Sequence, residues 1–365
     1  GVCTHIGGIA LPPKIREVDP HDAKHDPNLF QSPFWARFRQ ARGYPTQAFQ
    51  IEHQGQKACM ILIHRPCSGR AGFGHIPYGA DIPLPEEGQG PFLDAVSEQI
   101  RHRLPPQCLF LRYDLPWPSP YAPQDGPKRE WEGPPEPRIR ELRMNFGSRY
   151  WRLRKAPTDM HPPDTVVLDL SRPASDILRD MHGKNRYCLR RALRQGVAVH
   201  EAGPEALPLW YPLYRDMTRR KRIATEGLAY FQDLFSVARG HTTDVALYLG
   251  FQNGRLLAGC IIAFHDDTAT YLYSAASPEG RALMASYPVL WKAILHAKLR
   301  GCRWFDLYGI PPGPEPNHPM HGLYRFKTRF GGHILHMRGC WDYPLDEKRY
   351  PNLAFAAANH TPYHA

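Results

Sequence analysis

The chain reads as an α/β protein built from two tandem copies of one architecture, with a cleft between the copies. Three observations predict this. The same order of elements (hairpin, strand, helix, closing strand) occurs twice, about 200 residues apart. Each copy starts on a hairpin signal, Gln54-Gly55 in the first and Asn253-Gly254 in the second. Two proline-rich stretches, 115–137 (LPWPSPYAPQDGPKREWEGPPEP) and 156–164 (APTDMHPPD), lie between the copies; the first cannot form a regular helix.

The elements follow in order. In the first copy, QAFQIEH and KACMILIH flank Gln54-Gly55 as strands. FGHIPYG follows as a strand, PFLDAVSEQIRHRL has apolar residues at helical spacing, and CLFLRYDL closes as a buried strand. In the second copy, DVALYLGF and RLLAGCIIAF flank Asn253-Gly254. Then come ATYLYSA as a strand, YPVLWKAILHAKLRG as a helix ended by Gly301, and RWFDLYG as the closing strand. A prelude precedes the second copy. TVVLDLS is a strand, Ser171 and Pro173 mark the start of a helix running to Gly196, and LPLWYPLYRDMTRRKRI is a further helix. Identity between the halves is poor, so the repeat is one of architecture. Strand, two helices, hairpin, strand, helix, strand is the order of the GCN5-related N-acetyltransferase fold. The expected units are residues 1–160, with 115–137 as a proline-rich loop, and residues 161–332. Residues 333–365 are expected to pack back on the first unit.

Composition narrows the classes. Of 365 residues, 42% are apolar and 12% aromatic, enough for real cores. No apolar run approaches the ~18 residues of a membrane-spanning helix, and no signal peptide is visible. The eight cysteines are scattered without a CxxC pair and most sit in apolar runs, which suits reduced buried thiols in a cytoplasmic protein. Neither they nor the nineteen histidines are spaced for zinc, so no metal and no resident cofactor are expected. The net charge of +11 is concentrated in 138–155, 179–194 and 215–222, all rich in arginine. Clustered guanidinium groups suit phosphate-rich partners; the alternative is a basic face that serves solubility. A monomer is expected.

The most informative stretch is 303–332, RWFDLYGIPPGPEPNHPMHGLYRFKTRFGG. A strand breaks at Gly309, a Pro/Gly loop follows, and a short aromatic helix then carries Lys327 between Arg325 and Arg329. Such a lysine can stabilise an oxyanion, or can simply sit on the surface of an amphipathic helix. Asp114 and Asp306, at the ends of the two closing strands, are candidate general bases or loop caps. Tyr214, Tyr230, Tyr271 and Tyr273 are candidates for hydrogen bonds to a substrate, or half-buried core tyrosines. No P-loop or nucleophile elbow is present.

Several segments together resemble the FemABX family, aminoacyl-tRNA-dependent peptidyltransferases that build peptidoglycan cross-bridges. They are Gln31-Ser32-Pro33-Phe34-Trp35 with Gly43-Tyr44, Thr165 to Ser171, and Lys184-Asn185-Arg186 through Arg190-Arg191-Ala192 to Gly196-Val197. Leu213 to Arg220 followed by Tyr230-Phe231, then Phe305 to Gly309, and Gly322 to Lys327 with Phe330-Gly331, complete the set. The resemblance implies Lys327 near the reacting centre and the tRNA terminus. It implies Arg220 on the diphosphate of a nucleotide-sugar peptide, with Arg39 sharing the phosphates. It implies aminoacyl-tRNA as co-substrate, a nucleotide-linked or lipid-linked muropeptide as acceptor, and no membrane insertion. Arg39 stands where the family often has lysine, and 201–245 leaves no room for the coiled-coil arm of longer members. The proline-rich stretch 115–137 has no counterpart in that pattern. Alternatives are the same fold acting on another peptide or protein amine, a thioester-dependent acyltransferase, and a non-catalytic RNA-binding protein. For the thioester reading, 278–286 (PEGRALMAS) is the nearest approach to a coenzyme-A loop.

Overall fold

A computed structural model describes residues 11–23, 25–123 and 131–359. Part of the proline-rich stretch, 124–130, and Cys3 therefore lie outside the described residues. The strands are β1 (Lys14–Val18), β2 (Thr46–His53), β3 (Gln56–Ser68), β4 (Ala71–Ile76), β5 (Cys108–Asp114), β6 (Arg154–Lys155) and β7 (Asp164–Asp169). They continue with β8 (Ala198–Ala202), β9 (Asp244–Gln252), β10 (Arg255–His265), β11 (Thr268–Ala276), β12 (Trp304–Gly309), β13 (His333–His336) and β14 (Cys340–Pro344). The helices are α1 (Pro33–Ala41), α2 (Glu86–Ile100), α3 (Pro137–Asn145), α4 (Ala174–Asp180), α5 (Gly183–Arg194) and α6 (Leu207–Lys221). After them come α7 (Leu228–Ala238), α8 (Pro278–Ala282), α9 (Ser286–Leu299), α10 (His321–Thr328) and α11 (Tyr350–Asn359).

Two seven-stranded sheets result, β1-β2-β3-β4-β5-β14-β6 and β8-β9-β10-β11-β12-β7-β13. Read in this direction they match place for place. Each has one parallel pair at its centre, β4 with β5 and β11 with β12. Both hairpins turn as their sequences require, with positive φ at Gln54 and Gly55 and at Asn253 and Gly254. The tandem α/β architecture is the expected one, and no helix among the described residues exceeds 15 residues, so no arm is present.

Two details differ from the sequence reading. The helix expected to run to Gly196 is broken: Met181 is extended (ψ 144°) and His182 caps a new helix by accepting from Lys184 N–H. The cause is tertiary. His182 N–H donates to Arg329 O, and Gly331 (φ +88°) passes so close that a Cβ there would meet Asp180 O at 2.7 Å. The segment after residue 332 divides between the sheets. β13 pairs with β7 in the second sheet, and β14 returns to the first beside β5.

The return of β14 is fixed by charge as well as by backbone pairing. Arg112 on β5 donates from Nε and Nη2 to the two Asp342 oxygens at 2.7 and 2.8 Å, and both side chains are fully buried. Tyr350 adds a hydrogen bond to Asp342 at 2.7 Å. Asp342 raises the Arg112 guanidinium above its usual value despite burial. Breaking such a pair from one side strands a charge in the interior. Asp342→Ala is therefore expected to destabilise the protein by about 3–5 kcal/mol, read as a fall in urea midpoint without change of slope.

One apolar core is shared by the two units. Phe34, Trp35 and Phe38 of α1 and Ile61 of β3 pack in one cluster with Trp210, Tyr214, Phe231 and Ile261 from the second unit. The described cysteines, Cys59, Cys67, Cys108, Cys188, Cys260, Cys302 and Cys340, are buried and form no disulfide with one another. No described helix is long and apolar enough to cross a membrane.

Candidate functional site

The two halves of the central parallel pair in the second sheet part company. β11 and β12 are in register only from Thr268–Thr270 against Trp304–Asp306. Beyond that, β11 continues with β10 and β12 with β7. A bulge falls between Asp306 and Tyr308, and Tyr308 takes a left-handed backbone (φ 67°). The Asp306 carboxylate supports that turn by accepting from Tyr308 N–H at 2.7 Å. Non-glycine residues in this conformation concentrate at functional sites. The parted strands make a fork.

Lys327 of α10 lies at the fork. Its side chain is 2% exposed, and Nζ donates to Gly309 O at 2.7 Å. The Tyr271 ring is 5.7 Å from Nζ. Burial pulls the ammonium down to about 7, with Asp306 partly opposing. Tyr271 also lines a cavity of about 620 Å³ whose cations are Arg220, Lys221 and Arg281. Lys327, Tyr271 and Arg220 thus fall on one side of the fork.

On the other side, consecutive residues Leu272 and Tyr273 line a pocket between the units, of about 150 Å³. Its walls include Arg39 and Arg42 of α1, Arg65 of β3, Tyr44, Tyr230 and Tyr308. Arg39 stacks over Trp35 and Arg65 over Tyr44, each at 4.8 Å. Among the described residues neither has a carboxylate partner, and both Nε atoms are buried without a hydrogen bond. Burial, then repulsion from Arg39, pulls Arg65 down to about 10. Three guanidinium groups with spare donors are a receptor for phosphate or carboxylate. Arg42 is the paired one, at 2.7 Å from Asp233. Tyr230 and Tyr273 hydrogen-bond each other at 2.6 Å at this pocket. Tyr214 lies behind them in the core; its hydroxyl accepts from Glu226 N–H at 3.2 Å.

The remaining candidates separate. Arg39 and Arg220 line different cavities, so one small diphosphate between them is not what the geometry offers. Asp306 lines a third, mostly apolar cavity of about 490 Å³ between the units, and burial pushes its carboxyl up to about 6. Asp114 is 2% exposed at the end of β5, and burial pushes it up to about 6, with His161 partly opposing.

Sequence reasoning missed what surrounds Asp114. His75 Nε2 lies 2.6 Å from Asp114 Oδ2, and His161 N–H donates to Oδ1 at 3.2 Å. The His161 ring bonds the Tyr308 hydroxyl at 2.5 Å. His75 and His161 are 39 and 47 positions from Asp114, which is why spacing rules found nothing. One signal was available: both polar residues occupy strand or connector positions that lead into the expected cleft. Burial, then Arg65, Arg39 and Arg112, hold His75 well below its ordinary value. Burial takes His161 down to about 3, against the pull of Asp114. Ligand atoms of His75, Asp114 and His161 lie within 4.8 Å of one another, a donor set that suits a divalent cation. The arginines named above oppose one.

Two matched sheets with a forked strand pair over a buried cation place the chain in the class of tandem acetyltransferase-like proteins. A family model described as the FemAB family matches residues 14–241 and 250–358, and the chain belongs to that family. Among curated relatives, "Lipid II:glycine glycyltransferase" of Staphylococcus haemolyticus (strain JCSC1435) is 26% identical over 254 residues. That match covers 52% of this chain and 61% of the relative. The protein of the same name from Staphylococcus aureus (strain USA300) is 19% identical over 257 residues, 52% of this chain and 61% of the relative. The chain thus spans less than two thirds of the curated relatives it matches. The solved structure of FemX superposes with a TM-score of 0.71 at 14% identity, over 93% of this chain and all of that one. A tandem acetyltransferase-fold protein from the clavulanic acid biosynthesis pathway gives 0.50 at 12%, over 91% and 98%. These two speak for the fold alone.

Proposed function

We propose that this protein is an aminoacyltransferase that moves an amino acid from the ester of an aminoacyl-tRNA to the amine of a muropeptide, forming a cell-wall cross-bridge in the cytoplasm. The fork carries the reading. A donor entering from the Lys327 side and an acceptor entering from the arginine pocket would meet where β11 and β12 part. The ester is already activated, so positioning and oxyanion stabilisation supply most of the catalysis. Lys327 Nζ, or the Gly309 region it braces, is the electrophilic side. Arg220, Lys221 and Arg281 suit the phosphates of an RNA terminus. Arg39 and Arg65 suit the phosphates of a nucleotide-linked or lipid-linked acceptor.

The named relatives put glycine and lipid II first among substrates to try. No resident cofactor is invoked. The protein incubated with each charged tRNA and a labelled muropeptide, first nucleotide-linked and then lipid-linked, is expected to transfer label from one of them. No transfer with any standard amino acid would overturn the reading. Transfer to an unrelated peptide amine instead would leave the chemistry and move the acceptor class.

A further inference from the structure

We infer that His75 is the catalytic proton carrier of this site, oriented by Asp114 and presenting its Nδ1 to the acceptor amine; the inference rests on the transfer reading above. His75 lines the arginine pocket although only 1% of its surface is exposed. Its Nε2 lies 2.6 Å from a carboxylate oxygen, so Nε2 carries the ring proton and Nδ1 the lone pair. Asp114 is held in turn by His161 N–H, which fixes the imidazole plane. That is the geometry of a base with its orienting carboxylate.

Among the described residues nothing uses that lone pair. Nδ1 of His75 is buried and has no hydrogen-bond partner among the described residues. A buried polar atom is ordinarily satisfied, and one left unpaired in a side chain that lines a pocket can be satisfied by what the pocket receives. His161, the other imidazole here, already commits Nδ1 to Tyr308. The groups facing His75 are Arg65 from β3, Arg39 from α1, Arg112 and Asp114 from β5, and His161 from the connector. Burial, then the arginines, keeps it neutral, the form that accepts a proton. An anionic acceptor pairing with Arg39 and Arg65 would weaken that effect and make His75 more basic once substrate is bound.

The step balances. The neutral amine nitrogen bonds to the ester carbon while the carbonyl π pair moves onto its oxygen, and the proton the nitrogen then sheds passes to Nδ1. When the oxygen pair returns, the bond to the ribose oxygen breaks and that oxygen takes the proton from Nδ1. An amide and a free hydroxyl leave, and His75 is neutral again.

The test uses the donor and acceptor with which the wild-type chain is active. His75→Gln is expected to lower kcat about 10²-fold with the acceptor KM changed less than about threefold. Both rates should climb about tenfold per pH unit towards the pKa of the free amine, and the wild type should show a second, lower limb from His75 that the variant lacks. A folded variant within threefold of wild-type kcat would overturn the inference. If the variant does not fold, the wild-type profile decides: a single ionisation, that of the acceptor amine, with no second limb below it shows that no protein group takes the proton. Activity lost on chelation and restored by a divalent cation would also overturn it, in favour of a metal on the same side chains. A wild-type chain inactive with every charged tRNA fails the transfer reading itself and takes this inference with it.

Discussion

Lys327→Met is expected to reduce aminoacyl transfer by about 10²–10³-fold while the melting temperature holds or rises. The two halves of this expectation have different causes. In the proposed reaction Nζ is the cation at the fork, and its loss would remove a charge opposite the developing oxyanion. For the fold, the same ammonium is a burden. Its pKa falls from 10.5 in the unfolded chain to about 7 in the folded one. Between those values the unfolded chain holds a proton that the folded one has released. Stability therefore rises with pH from about 7 to 10.5 and is lost as pH falls through 7. Methionine keeps the volume and abolishes that slope, at the cost of the hydrogen bond to Gly309 O. Thermal melts across pH read the fold, and initial rates read the chemistry. A variant with normal turnover would remove Lys327 from the site.

Arg65→Met is expected to raise the KM for an anionic acceptor by about 10²-fold and to leave the affinity for charged tRNA unchanged. Arg65 has no carboxylate partner among the described residues, and Arg39 stands beside it in the same pocket. In buffer free of anions the substitution relieves like-charge repulsion, so the melting temperature should not fall. Inorganic phosphate should stabilise the wild type by mass action and the variant much less. Equal stabilisation of both by phosphate would place the anion elsewhere.

Much of the frame was legible because it depends on local rules. Asn253-Gly254 and Gln54-Gly55 demanded left-handed turns and took them. Apolar runs bounded by turn signals marked strands such as β10 and β12 before their partners were known. The β14 strand was not legible, since CWDYP is short and its meaning lies in Arg112, 230 positions earlier. The helix break at Met181 has the same origin: Gly331 and Arg329 press on it from the far end of the unit. The site divided in the same way. Lys327, Arg39, Tyr230 and Tyr273 stood out by residue type and motif. Arg65 and His75 did not, because each is one polar residue in a strand otherwise read for its apolar face. Their meaning appears only when α1, β5 and the 156–164 connector converge on them.

The place of β14 also sets a schedule for synthesis. The first sheet needs residues 340–344 between β5 and β6. A nascent chain that has emerged only as far as β12 holds all seven strands of neither sheet, because β13 and β14 are still to come. The arginine pocket draws on α1, β3 and β12 together, so it exists only when nearly the whole described chain has left the ribosome. The complete pocket is therefore absent from a half-made copy of this protein, although its three arginines are made early.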